Sequence, residues 1–166
     1  MHQERAHGHA ETFSKKSGTL MSTQFIEIGY VKTAKIQVVL YRDLISEQNE
    51  LAIRFENEYY DGYSDYPDTK IGMLDKDEVE GLIKSINIIR NHVFSSYPEH
   101  YTEVNFISRT GFKAGCFSGK DGWSFYLKLD QYDDRSFVWL KKEDSATILE
   151  LLTKSRDKVE LLSNNI

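Results

Sequence analysis

The chain has one cysteine, Cys116, and two prolines, Pro67 and Pro98, among 166 residues. A lone cysteine excludes an intramolecular disulfide and any cysteine-based metal cluster, and it is compatible with a reducing cytosol. Ten glycines and two prolines exclude collagen-like and low-complexity chains, and 13% aromatic residues argue against disorder. No uncharged apolar run approaches the ~20 residues that a membrane-spanning helix needs. Met1 to Leu20 lack the apolar core of an export signal. The expected location is therefore cytoplasmic as the sequence stands, or outside if a signal has been trimmed from it. No block of like charge forms a basic arm or an acidic tail. The 21 basic and 26 acidic residues leave a net charge of −5, which disfavours a polyphosphate partner without excluding one. The imbalance is uneven: up to Pro98 there are 11 basic and 15 acidic residues, and after it 10 and 11.

What is present is alternation. Residues 1–22 are polar and read as a flexible leader, and residues 23–166 read as a domain of two repeats, 23–98 and 99–166. In the first repeat Ile26, Ile28 and Tyr30 point one way and Glu27 and Gly29 the other, the period of a half-buried strand. Further strands are expected over Ala34 to Tyr41, over Leu51 to Glu56 and, after a loop rich in turn formers, over Lys70 to Leu74. Asp75 with Glu78 three residues on has the spacing of a capping box. It leads into the helical stripe Val79, Leu82, Ile83, Ile86, Ile89 and Val93.

After Pro98 the plan recurs. Strands are expected at Thr102 to Arg109, Phe112 to Phe117, Trp123 to Leu129 and Ser136 to Leu140, followed by a helix bearing Ile148, Leu149, Leu152, Val159 and Leu162. The segment Ile71 to Glu78 lies over Phe137 to Asp144 at an offset of 66 residues, which sets Leu74 on Leu140, Ile83 on Leu149 and Ile86 on Leu152. The fold class expected is α+β, two ββββα repeats forming two antiparallel sheets packed with two helices.

This order, four strands and a helix taken twice over roughly Gln24 to Leu162, resembles the Whirly and Pur-type domains, which bind single-stranded nucleic acid. The step from the strand Lys70 to Leu74 into Asp77-Glu78 is similar to the strand-to-helix step of that fold. The Lys-Gly-Lys-Ala strand motif of Whirly proteins and the glycine-rich basic flanks of Pur proteins have no counterpart here. The resemblance implies a Whirly-like fold and, as an alternative function, single-stranded nucleic-acid binding.

Candidate binding residues fall into two groups. The loop contains Tyr59, Tyr60, Asp61, Tyr63, Asp65, Tyr66 and Asp68, rings that stack on a sugar or peptide beside carboxylates that hydrogen-bond it. Its aspartates lack the spacing of a calcium loop, so no metal is expected. The plainer reading is a long hairpin whose tyrosines pack over the end of the sheet. For nucleic acid, a basic groove with stacking rings is required. The outward strand phase offers Arg54, Lys113, Tyr126 and Lys128, with Arg109 near a strand end. Alternation puts such residues on any solvated sheet face.

Catalytic signals are few. No phosphate-binding loop, dinucleotide fingerprint or zinc-protease motif occurs, and Ser118 stands one place too late for a nucleophile elbow. Cys116 with His92 or His100 is a formal Cys–His pair, but Cys116 shares its phase with Phe112 and Ala114 and reads as core. Trp123 and Trp139 read as core as well. His2, His7 and His9 read as part of the leader rather than as a metal site. The expectation is a non-enzymatic binding module without cofactor, its partner an unknown protein or glycan, with nucleic acid the alternative and a Cys–His enzyme third.

Overall fold

A computed structural model describes residues 7–165. The elements follow in the order α1 (His9–Ser14), β1 (Met21–Val31), β2 (Ala34–Asp43), β3 (Asn49–Tyr59), β4 (Asp68–Asp75), α2 (Val79–Ile88), β5 (Glu103–Ile107), β6 (Lys113–Gly119), β7 (Gly122–Lys128), β8 (Phe137–Lys141) and α3 (Asp144–Asn164). Two antiparallel sheets result, β1-β2-β3-β4 and β5-β6-β7-β8, each a simple meander. This is the α+β class with two ββββα-like units. No helix among the described residues is long and apolar enough to cross a membrane.

One apolar core runs through both units. It joins Ile36, Ile53, Phe55 and Leu74 of the first sheet to Ala114, Cys116, Phe125, Leu127, Val138 and Leu140 of the second. Leu82 and Ile86 of α2 and Ile148 and Leu152 of α3 belong to it too. The two units meet at a ring stack: Phe55 and Phe112 lie 4.2 Å apart at 16°. Beside it, a Cβ on Gly72 would stand 2.8 Å from the Leu129 carbonyl oxygen, so β4 passes the second unit at a distance only glycine allows. Helix α3 supplies the longest stripe. Ser145, Ile148, Leu152 and Ser155 are buried, and one and two turns further on Val159 and Leu162 pack on Val38, Leu40 and Leu51. A seven-residue rhythm of apolar and small residues lets one helix span the inner face of the first sheet.

Four expectations change in the structure. First, β1 carries a bulge between Glu27 and Gly29. The extra residue reverses the alternation, so Gly29 turns inward under Leu151 of α3 and Tyr30 turns out to solvent. Second, Asp75 and Glu78 do not form a capping box; neither side chain caps the helix start. Asp75 instead accepts the N–H groups of His9 at 2.8 Å and Ala10 at 3.1 Å, and Glu78 accepts the N–H of Arg109 at 2.9 Å. Third, residues 7–22 are part of the packed structure rather than a loose leader. Helix α1 lies against β2, β3 and β4 with Ala10 fully buried, and β1 already begins at Met21. Fourth, the helical stripe over Ile89 and Val93 is kept, but its last turn widens into a π turn in which Phe94 N–H bonds to the Ile89 carbonyl at 3.0 Å.

Candidate functional site

The pairing register makes the two sheets directly comparable. On the side of the first sheet away from α2 and α3, successive rows read Val39–Ala52–Asp75, Gln37–Arg54–Met73 and Lys35–Glu56–Ile71. On the second sheet the matching rows read Phe117–Ser124–Lys141, Gly115–Tyr126–Trp139 and Lys113–Lys128–Phe137. Helix α1 closes one end of the first sheet's outer face, and the remainder, with Phe25 and Ile71 exposed, lines a hollow of about 460 Å³. Helix α1 covers Val39 and Ala52, both fully buried, and Asp75 holds the helix start. Arg54 is tied to Gln37 at 2.8 Å and paired with Glu56, its guanidinium 5.3 Å over the Phe25 ring.

The second sheet's outer face carries rings where alternation usually leaves polar groups. Phe137 and Trp139 stack at 4.3 Å and 12°, Phe117 meets Trp139 edge-on at 6.1 Å, and Tyr126 packs against Phe137 at 5.6 Å. These contacts hold the rings in place, since offset-stacked and edge-on pairs are the favoured geometries. Tyr126 is nearly covered and forms the floor, whereas Trp139 is 57% exposed and forms a wall. Burial raises the pKa of the Tyr126 hydroxyl above its ordinary value. Gly115 beside Tyr126 is required there, because a Cβ would stand 2.7 Å from the Asn105 Cβ on β5. Between Asn105 and Trp139 lies a hollow of about 280 Å³. Lys128 keeps its stem buried, with Nζ 2.9 Å from Asp134 and 4.5 Å over the Phe137 ring. Tyr101 stands at the other rim, where its hydroxyl donates to Glu103 at 3.0 Å; burial and that carboxylate raise the hydroxyl's pKa. A planar ligand can stack on Trp139 while the lysines meet its negative groups.

Of the nucleic-acid set, Lys113, Tyr126 and Lys128 therefore converge on one face. Arg54 does not join them, being on the outer face of the other sheet, tied to Gln37 and Glu56. Arg109 does not either. Its guanidinium lies 2.6 Å from Asp75, bonds Asp77 at 2.8 and 2.7 Å, and lies 3.3 Å from His9 Nδ1. The pairing holds the Asp77 carboxyl below its usual pKa and raises that of Arg109, while burial raises Glu78. His9, Asp75 and Asp77 bring three metal-type donors within 4.8 Å of one another, but Arg109 already supplies the cation between them. His7 pairs with Glu11 at 3.4 Å, and His2 lies outside the described residues.

The tyrosine–aspartate loop sits at the end of the β3–β4 hairpin and does not fold over the sheet. Tyr63 is 98% exposed and Tyr66 83%. Asp61 accepts the N–H groups of Tyr63 and Ser64 at 2.8 and 2.9 Å, which holds its carboxyl below the usual range. Only its base is fixed: the Arg135 guanidinium lies 5.6 Å over the Tyr59 ring and 3.9 Å from Asp68. Tyr60 donates to Glu58 at 2.9 Å, and Asp65 stands exposed.

Trp139, which its strand position assigns to the core, stands instead on the outer face. Phe137, Val138, Trp139 and Leu140 are all apolar, so only Lys141 at the end of β8 marks which pair faces out. The 66-residue offset gives the same answer: Leu140 matches the buried Leu74, which puts Trp139 on the outward phase with Met73. Cys116, in contrast, is in the core as read. It is fully buried, and desolvation pushes its thiol up to about 11. His92 and His100 are exposed. The folded protein is expected to resist iodoacetamide at pH 8 and to react completely once unfolded; rapid labelling of the native chain would restore a thiolate nucleophile. A depression of about 740 Å³ lies between the inter-unit linker and the β6–β7 hairpin, where the Trp123 indole donates to the Ser96 carbonyl at 2.9 Å. No protein-family model and no curated protein matches the chain.

Proposed function

We propose that the chain is a non-catalytic binding module whose recognition surface is the outer face of β5–β8. The observation that carries this reading is the ring cluster of Phe117, Tyr126, Phe137 and Trp139, open to solvent at Trp139, where the first sheet has α1 over one end of its matching face. An exposed ring patch rimmed by polar groups marks an interaction site. The partner class this supports is a protein or glycan. The test is a panel of an immobilised peptide library, soluble oligosaccharides and a mixed-sequence single-stranded oligonucleotide. Any ligand retained should shift Trp139 fluorescence and bind at least about tenfold more weakly to Trp139→Ala, the weight of one stacking contact. A ligand held equally well by Trp139→Ala and Lys113→Ala would remove the face from consideration.

Single-stranded nucleic acid is the second reading, supported by the convergence of Lys113, Tyr126 and Lys128 on that face and by the ββββα order that resembles Whirly domains. Glu103 on the same face and the net charge of −5 oppose it. Fluorescence anisotropy of the oligonucleotide at low salt decides, because the electrostatic part of binding is largest there.

A further inference from the structure

We infer that the occupant of this face is the tyrosine–aspartate loop of a second copy of the chain, exchanged reciprocally between two protomers. The inference rests on the reading of the face as a recognition surface, and it uses the one exposed motif that reading leaves without a role. Three observations point to it. The first is complementarity. The loop carries Asp61, Asp65 and Asp68 with no basic residue and presents Tyr60, Tyr63 and Tyr66 to solvent. The face carries Trp139 and Phe137 with Lys113 and Lys141, beside Lys128 held by Asp134 and the carboxylate of Glu103. Among the described residues neither the Lys113 nor the Lys141 ammonium has a carboxylate within ion-pair distance. Tyrosines flanked by carboxylates match an aromatic hollow flanked by ammonium groups, with ring stacking in the centre and ion pairs at the rim.

The second observation is position. The base of the loop is fastened to the second unit by Arg135 on Tyr59 and Asp68 and by Lys70 on Asp133 at 2.8 Å. Phe137, at the corner of the face, follows two residues after Arg135. Loop and face are thus neighbours on one protomer. A two-fold axis at that corner lays each loop across the other protomer's face, so one operation makes both contacts and closes the assembly. The third observation is size. Residues 60–67, four out and four back, would reach at most roughly 13 Å if fully extended, and the turn that Asp61 holds at Tyr63 and Ser64 shortens this. Three strand spacings across the face amount to about 14 Å.

The experiment is sedimentation velocity on the full chain from micromolar to millimolar concentration, at low and high salt. A concentration-dependent dimer that weakens with salt is expected. Tyr63→Ala/Tyr66→Ala, Trp139→Ala, Asp65→Lys and Lys113→Glu should each weaken it at least about tenfold, the loss of one good contact per face. The decisive step is mixing. Asp65→Lys alone sets lysine against lysine, and Lys113→Glu alone sets acid against acid. In the mixed dimer both exchanged contacts are complementary, so the equimolar mixture should regain the wild-type affinity. Thermal melts of each variant check that the fold is intact. A monomer at all concentrations overturns the inference. So does a dimer that survives the loop substitutions but not Trp139→Ala, and in that case the face remains a recognition surface with another occupant. A dimer indifferent to Trp139→Ala also overturns the inference, and the reading of the face as a recognition surface is then decided by the ligand panel alone.

Discussion

Replacing Phe112 by alanine should cost about 3–5 kcal/mol of folding stability, the range for removing a fully buried phenylalanine from a packed core. Phe112 is fully buried at the point where the two units meet, stacked on Phe55 and close against Gly72. A cavity there is hard to refill. Gly72 has no side chain to relax into it, and the Leu129 backbone beside it is fixed by its hydrogen bond to Ser136. The loss is also shared between both units, because the ring belongs to the core common to them. Urea unfolding measures it, as a lower midpoint at unchanged slope. Phe137→Ala is the comparison: that ring is half-buried on an outer face, so the cost should be clearly smaller. A loss below about 1 kcal/mol for Phe112→Ala would mean that the units do not depend on each other at this contact.

Asp75→Ala should be nearly as damaging, at about 3 kcal/mol, because breaking a buried pair strands the groups it satisfied. Asp75 is almost wholly buried, and it accepts two backbone N–H groups of α1 and the Arg109 guanidinium. Without it His9 and Ala10 lose their acceptor, and α1 has little else at its start: Gly8 gives no side-chain cap. The helix is only six residues long, too short to persist unless held. Amide exchange across His9–Ser14 should therefore rise to that of an unprotected segment while the strands stay protected. Asp75→Asn keeps an acceptor but not the charge, and should lose less. Protection in α1 that is unchanged in Asp75→Ala would show that Ala10 alone holds the helix down. Acid acts on the same cluster in two senses. Asp77, held low by Arg109, adds stability above its unfolded pKa, and this is lost as pH falls through its folded value. Glu78, raised by burial, regains stability as it protonates at a higher pH than an unfolded glutamate. Mild acidification therefore relieves Glu78 before it undoes Asp77.

The fold was legible in the sequence because its inner faces are written in one residue class at one period. Ile53 and Phe55, Leu82 and Ile86, and Phe125 and Leu127 lie where alternation or helical spacing puts them, and the offset of 66 ties the two units together. Other features depend on long-range contacts that no local pattern records. The bulge in β1 answers to Leu151, 122 residues beyond Gly29. Asp75 and Glu78 have capping spacing, but Arg109 and α1 compete for their oxygens more effectively than the helix start does. The candidate face was half legible. Lys113, Tyr126, Lys128 and Arg54 share the outward phase, and Arg109 lies near a strand end. Only the pairing of strands shows that Arg54 is on the other sheet, and only its ion pairs with Asp75 and Asp77 show where Arg109 is held. Trp139 escaped because its neighbours on both sides, Phe137, Val138 and Leu140, are apolar, and only Lys141 at the end of β8 marks the outward phase.

The match between the two units has a practical consequence. The core-facing Leu74 is matched by Leu140, while positions that face away differ, as Met73 does from Trp139 and Asp75 from Lys141. The molecule thus contains its own control. A substitution on the second sheet's outer face can be paired with one at the matching row of the first, on the same scaffold and in the same sample. An effect that appears at Trp139 and not at Met73 belongs to the surface rather than to the sheet.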